Sequence, residues 1–132
     1  MAVATVIEAP TIFERRVIAN ATAVPIGTIM KLETDNTVVV SAADSDPFGG
    51  ICWVEHTASE GVTELTVAMN GRWEMTSTAA AIPAGNAVSI AGANTIRLAT
   101  EADTIVGAVV GKILTEEGGS GGRVTVDVGT LV

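Results

Sequence analysis

Tyrosine is absent from the chain, and Phe13, Phe48, Trp53 and Trp73 are its only aromatic residues. With 132 residues and 48% apolar content, a core must form all the same, and thin layers of Ala, Val and Ile are expected in place of a thick aromatic interior. Cys52 is the single cysteine, so no intramolecular disulfide is possible. His56 is the single histidine, which makes most acid–base and metal chemistry hard to assemble. Only 7 basic residues face 15 acidic ones, and a net charge of -8 argues against a phosphate-backbone partner, so no nucleic acid is expected. Charged residues are scarce at 17% and mean hydropathy is +0.47, a balance that excludes a disordered chain. No apolar run approaches the ~20 residues of a membrane span, and Met1–Val6 lacks a basic leader, so neither a membrane partner nor Sec export is expected.

What is present is strand signal. Thr28–Leu32, Thr37–Ser41, Ile51–Val54, Leu65–Met69, Ala87–Ile90, Thr95–Leu98, Ile105–Val110 and Val124–Val128 are short, rich in Val, Ile and Thr, and bounded by Gly, Asn, Asp or Pro. Thr100–Asp103 and Ser77–Ala81 are each long enough for a single helical turn.

These strands repeat. Val24-Pro25-Ile26-Gly27 aligns with Ile82-Pro83-Ala84-Gly85 at an offset of 58, which also sets Asn36 on Asn94 and Gly49 on Gly107. One further inserted residue sets Leu65–Met69 on Val124–Val128. In each copy a Pro-x-Gly turn launches a strand, and Thr34-Asp35-Asn36 or Gly92-Ala93-Asn94 connects it to the next as a hairpin. A four-strand half leaves edges exposed, so the expected fold is all-β: a small barrel or barrel-like sandwich built from two duplicated four-strand halves. The expected organisation is an extended N-terminal arm over residues 1–23 and one β-domain over 24–132, with the repeat at 24–69 and 82–128. The arm carries the β-prone runs Thr5-Val6-Ile7 and Thr11-Ile12-Phe13, separated by Pro10, and shows no duplicate in the second half.

The motifs that suggest chemistry do not assemble into a site. Gly118-Gly119-Ser120-Gly121-Gly122 fits the spacing of a nucleophile elbow but precedes a strand, not a helix. Gly107–Ile113 is one residue short of a phosphate loop and has Ile113 where the metal-binding hydroxyl belongs. Asp44, Asp46 and Glu55 sit at calcium-loop spacing, yet Phe48 takes a ligand position and the following segment reads as a strand, so a solvated acidic turn is preferred. Cys52 and His56 lack further ligands nearby. No enzymatic activity, no cofactor and no metal are expected.

Pro25–Leu32, Asp46-Pro47-Phe48-Gly49-Gly50-Ile51, Glu60-Gly61 with Leu65-Thr66-Val67 and Asn70-Gly71, Ile82–Val88 and Ile105–Ala108 together resemble the capsid cement or head decoration proteins of tailed bacteriophages, those of lambdoid heads among them. The resemblance implies a virion protein, made in the host cytoplasm, that adds as a homotrimer at local three-fold positions on the outer surface of an expanded capsid and bridges major capsid subunits. In that setting Val6, Ile7, Ile12 and Phe13 would anchor in apolar grooves of the major capsid protein while Arg15 and Arg16 pair with its carboxylates. Deleting residues 1–16 is then expected to leave the β-domain folded. The rival is a ligand- or carbohydrate-binding barrel or adhesin, with Trp53 and Trp73 as walls or stacking faces.

Overall fold

A computed structural model of the chain describes residues 3–18, 23–57, 63–78, 82–115 and 122–129. The elements are β1 (Thr5–Glu8), β2 (Phe13–Val17), β3 (Ile29–Thr34), β4 (Thr37–Val40), β5 (Phe48–Cys52), β6 (Glu64–Ala68), β7 (Gly71–Ser77), β8 (Ala87–Gly92), β9 (Thr95–Leu98), α1 (Glu101–Val106), β10 (Val109–Ile113) and β11 (Arg123–Val128). The Gly118–Gly121 stretch and Ala79–Ala81 lie outside the described residues.

The strands close two barrels. The first runs β2-β4-β3-β5-β6, and the second runs β7-β11-β10-β8-β9, closed by a parallel contact between β7 and β9. The barrel-like all-β expectation holds, but each half has five strands. Pairing fixes the correspondence: Val17 meets Thr37 in parallel, and Thr76 meets Thr95 in the same way. Strand β2 is therefore the counterpart of β7, and the segment expected to be an unpaired arm is a stave of the first barrel. Composition hides this, because Phe13-Glu14-Arg15-Arg16-Val17 corresponds to Arg72-Trp73-Glu74-Met75-Thr76 without one shared residue. Removing residues 1–16 would open the first barrel, contrary to the sequence-based expectation.

The turns behave as the sequence indicates. Gly27 and Gly85 take φ of 92° and 94°, and the amides of Thr28 and Asn86 reach back to Pro25 and Pro83 at 3.3 and 3.4 Å. Asn36 and Asn94 hold the left-handed hairpin positions at φ of 50° and 56°, a conformation that Asn tolerates better than most residues. Downstream the 58-residue offset breaks. Lys31 pairs with Phe48 whereas Ser89 pairs with Val109, so Gly50 corresponds to Gly111, and the sequence match of Gly49 with Gly107 is corrected. The extra residues make α1, where a β-strand beginning at Ile105 was expected. Gly107 instead ends the helix in the left-handed conformation at φ 76°.

Alternation along the strands divides the core. Met30, Val38, Cys52, Leu65 and Val67 fill the first barrel with Ile18 and Val24. Val88, Ile90, Ile96, Val110, Ile113, Val124 and Val126 belong to a second cluster that also takes in Ile29, Ile51 and Ala68 from the first barrel. The two barrels thus share an apolar seam. Polar contacts cross it as well: the Ile29 amide donates to Asn94 Oδ1 at 2.9 Å, Ser41 Oγ donates to the Gly92 carbonyl at 3.0 Å, and the Phe48 amide donates to the Gly107 carbonyl at 2.8 Å.

Candidate interaction surface

Strand β1 lies antiparallel against β7, with Thr5 opposite Glu74, Val6 opposite Trp73 and Glu8 opposite Arg72. It also ties the barrels together. The Ala4 amide donates to the Gly27 carbonyl at 2.8 Å, and Arg123 donates to the Val3 carbonyl at 3.2 Å and to Thr5 Oγ1 at 3.1 Å. The connection to β2 is held by Asn70, whose Oδ1 accepts from the Thr11 and Ile12 amides at 2.8 and 2.9 Å. Pairing of β1 with β7 and of β2 with β6 differs from the extended arm expected from the lack of a visible duplicate; such backbone pairing requires no particular side chains.

Four of the six residues expected to touch a partner remain available. Val6, Ile7, Ile12 and Phe13 are 40%, 54%, 54% and 42% exposed. Phe13 leans on Trp53 with ring centroids 5.6 Å apart, and Trp53 meets Trp73 edge-on at 6.1 Å. The two arginines are engaged at home. Arg15 pairs with Glu64 at 2.8 Å, and Arg16 donates to Asn36 Oδ1 at 2.8 Å and to the Gly49 carbonyl at 3.3 Å. Arg16 corresponds to Met75 of the second barrel, so a cation stands where the other barrel has a buried apolar side chain. Lys31, Arg72, Arg97 and Arg123 also have carboxylate partners, so local pairs absorb most of the basic charge and the net excess left for a partner is acidic.

The residues that suggested chemistry have structural work. Asp46 Oδ2 accepts from the amides of Ala42 and Ala43 at 2.9 and 2.8 Å, closing its own turn. Asp44 pairs with Arg97, and neither carboxylate joins Glu55 in a ligand set; among the described residues no group of three or more His, Cys, Asp or Glu is placed to hold a metal. Burial, aided by the charge of Glu55, pushes the Cys52 thiol up to about 12, so it is protonated and inert at neutral pH. Trp73 is buried and offers no stacking face, whereas Trp53 is half-buried.

Sequence reasoning missed the most connected polar cluster. Asp103 is fully buried and accepts from Arg97 Nη1 at 2.8 Å, Arg97 Nη2 at 3.0 Å, Ser45 Oγ at 2.8 Å and the Thr100 amide at 2.7 Å. The Arg97 guanidinium holds this carboxyl well below the usual carboxylate range against the opposing effect of burial, and the Asp103 bond in turn raises Arg97. Ser45 and Asp44 come from the first barrel and Arg97 and Asp103 from the second, so the cluster is a clasp across the seam. Thr100-x-x-Asp103 at the start of α1 is a capping-box pattern that signals part of it; the Arg97 and Ser45 contacts have no sequence signature.

Surface hollows of about 230 Å³ beside Arg15 and His56, 260 Å³ beside Thr104 and Val109, and 330 Å³ beside Asn70 and Arg72 stand at or below the lower end of the range for ligand pockets. Compared with known proteins, the chain matches no family model and no curated sequence.

Proposed function

We propose that this protein is a structural decoration module that binds the outer face of an expanded phage capsid and bridges neighbouring major capsid subunits. The observation that carries the reading is the set of exposed apolar side chains Val6 and Ile7 on β1, Ile12 on the connection that follows it, and Phe13 at the start of β2. Exposed apolar groups on hydrogen-bonded backbone lose less conformational entropy on binding than those on an unpaired segment, which suits a clamp. The motif resemblance along the repeat supports the same reading. Arg15 and Arg16 act in it as positioning residues for β2 and not as the primary contacts, since both are already bonded within the chain.

A homotrimer at local three-fold positions is the assembly implied by the resemblance, and Ile105, 88% exposed on α1, is the most solvent-exposed large apolar residue among the described residues and is available for contacts between copies. Avidity from three copies would allow each contact to be weak. The ligand- or carbohydrate-binding alternative loses its second stacking face with the burial of Trp73.

Co-sedimentation with purified expanded heads lacking their decoration tests the reading. Saturable binding, lost in Ile12→Asp with Phe13→Asp while the fold is kept, is the expected outcome. Absence of wild-type binding to both expanded and unexpanded heads would reject it.

A further inference from the structure

The two barrels differ at one corresponding edge. In the second, β11 covers one side of β7, and the other side is shared between β9, at Thr76 and Ser77, and β1, at Arg72 to Glu74. In the first, β6 covers one side of β2, and β4 meets the other side only at Val17. Among the described residues, no strand takes the position beside Phe13 to Arg15 that β1 takes beside Arg72 to Glu74.

Hydrogen-bond alternation shows which groups that edge presents. The Ile12 carbonyl accepts from Met69 and the Ile18 amide donates to Thr63, both at 2.9 Å. Glu14 and Arg16 between them therefore bond toward β6, and Phe13, Arg15 and Val17 point their amides and carbonyls the other way. Val17 confirms the direction, because its amide donates to the Asn36 carbonyl at 2.8 Å. The corresponding groups of β7 are those of Arg72 and Glu74, the residues opposite β1.

We infer that the outer edge of β2 at Phe13 and Arg15 is a strand-acceptor site for an extended segment of a partner protein. That segment adds antiparallel, as β1 does on β7, with a basic residue opposite Glu14 and an apolar residue opposite Phe13. Glu14 is exposed and makes no ion pair with the described residues, so it presents an uncompensated carboxylate. Phe13, 42% exposed, offers an apolar ring backed by Trp53. Pairing of two β2 edges from two copies about Glu14 would set Glu14 against Glu14, a like-charge contact that disfavours a second copy as the occupant. Main-chain bonds give the affinity, and the order polar, basic, apolar along the incoming strand gives the specificity. The inference rests on the shell-binding reading only for the identity of the partner, a segment of the major capsid protein.

The test uses the full chain and a capped peptide, Thr-Val-Glu-Lys-Val-Thr, that carries the required order. In the free protein the Phe13 and Arg15 amides should exchange rapidly with solvent while those of Glu14 and Arg16 are protected. Millimolar peptide should slow exchange at Phe13 and Arg15 by at least about tenfold, and a peptide N-methylated on its bonding amides should have no effect. Glu14→Lys should weaken binding about fivefold or more. Arg15→Pro should abolish it, since the lost amide faces outward and β6 keeps its bonds; if that variant unfolds, the N-methylated peptide serves in its place. Protection of Phe13 and Arg15 in the free chain, or unchanged exchange with peptide, would overturn the inference. Head binding by Glu14→Lys and Arg15→Pro equal to wild type would remove the edge from the shell contact and leave shell binding standing. Peptide protection without any binding to heads would do the reverse.

Discussion

Asp103→Ala should cost the fold about 3 kcal/mol, through loss of the clasp between the barrels. The carboxylate is fully buried, and its removal strips Arg97 of two bonds and Ser45 and Thr100 of one each or more. Breaking a buried ion pair by removing one partner costs roughly 3–5 kcal/mol, and the lower end applies because Arg97 keeps Asp44 and the Leu98 carbonyl. For a chain of this length that loss lowers the melting temperature by about 10 °C, which calorimetry or circular dichroism would read. The sign of the pH dependence follows from the depressed carboxyl. The unfolded chain takes up the proton first as pH falls, so the stabilisation is complete above the ordinary carboxylate value of 3.8 and is lost progressively below it. The difference between wild type and Asp103→Asn should therefore shrink in acid. The combined Arg97→Met, Asp103→Ala variant should lose less than the sum of the single changes. A loss below about 1 kcal/mol for Asp103→Ala, or a gap that widens in acid, would refute the assignment of the clasp.

Gly27→Ala and Gly85→Ala should differ although both positions have positive φ: a Cβ at Gly27 would overlap the Ala4 carbonyl oxygen, whereas nothing lies within 4 Å of one at Gly85. Denaturant titration should show a loss near 1 kcal/mol at Gly85 and at least about 2 kcal/mol more at Gly27, with the β1 amides losing exchange protection only in the latter. Asn94→Gly keeps the backbone conformation but orphans the Ile29 amide, and about 1–3 kcal/mol should be lost by the same titration. Cys52 should resist thiol reagents at pH 8 in the native chain and react at the rate of unfolding, which a colorimetric thiol assay would follow.

How much of this was legible in the sequence follows from what each feature needs. The Pro-x-Gly turns and the Asn hairpin positions demand particular residues, and both copies keep them, so the turns could be read directly. A stave needs only backbone pairing and one tolerable face, which is why β2 and β7 share no residue and the fifth strand of each half went unseen. The helix α1 is brief, and its Ile105-Val106 end resembles a strand until Gly107 is known to cap it. At the candidate surface, exposure of the apolar residues near the N-terminus could be anticipated, but the engagement of Arg15 and Arg16 could not. Glu64 and Asn36 reach them only because the barrel closes.

The central claim is that this chain decorates a capsid through the β1 and β2 surface. An image reconstruction of expanded heads saturated with the protein tests it most directly. The account predicts two small barrels per copy on the outer face of the shell, with Ile12 and Phe13 against the major capsid protein and a capsid strand running antiparallel along β2 at Phe13 to Arg15. Heads that carry no added density, or barrels attached with β1 and β2 turned to solvent, would contradict it.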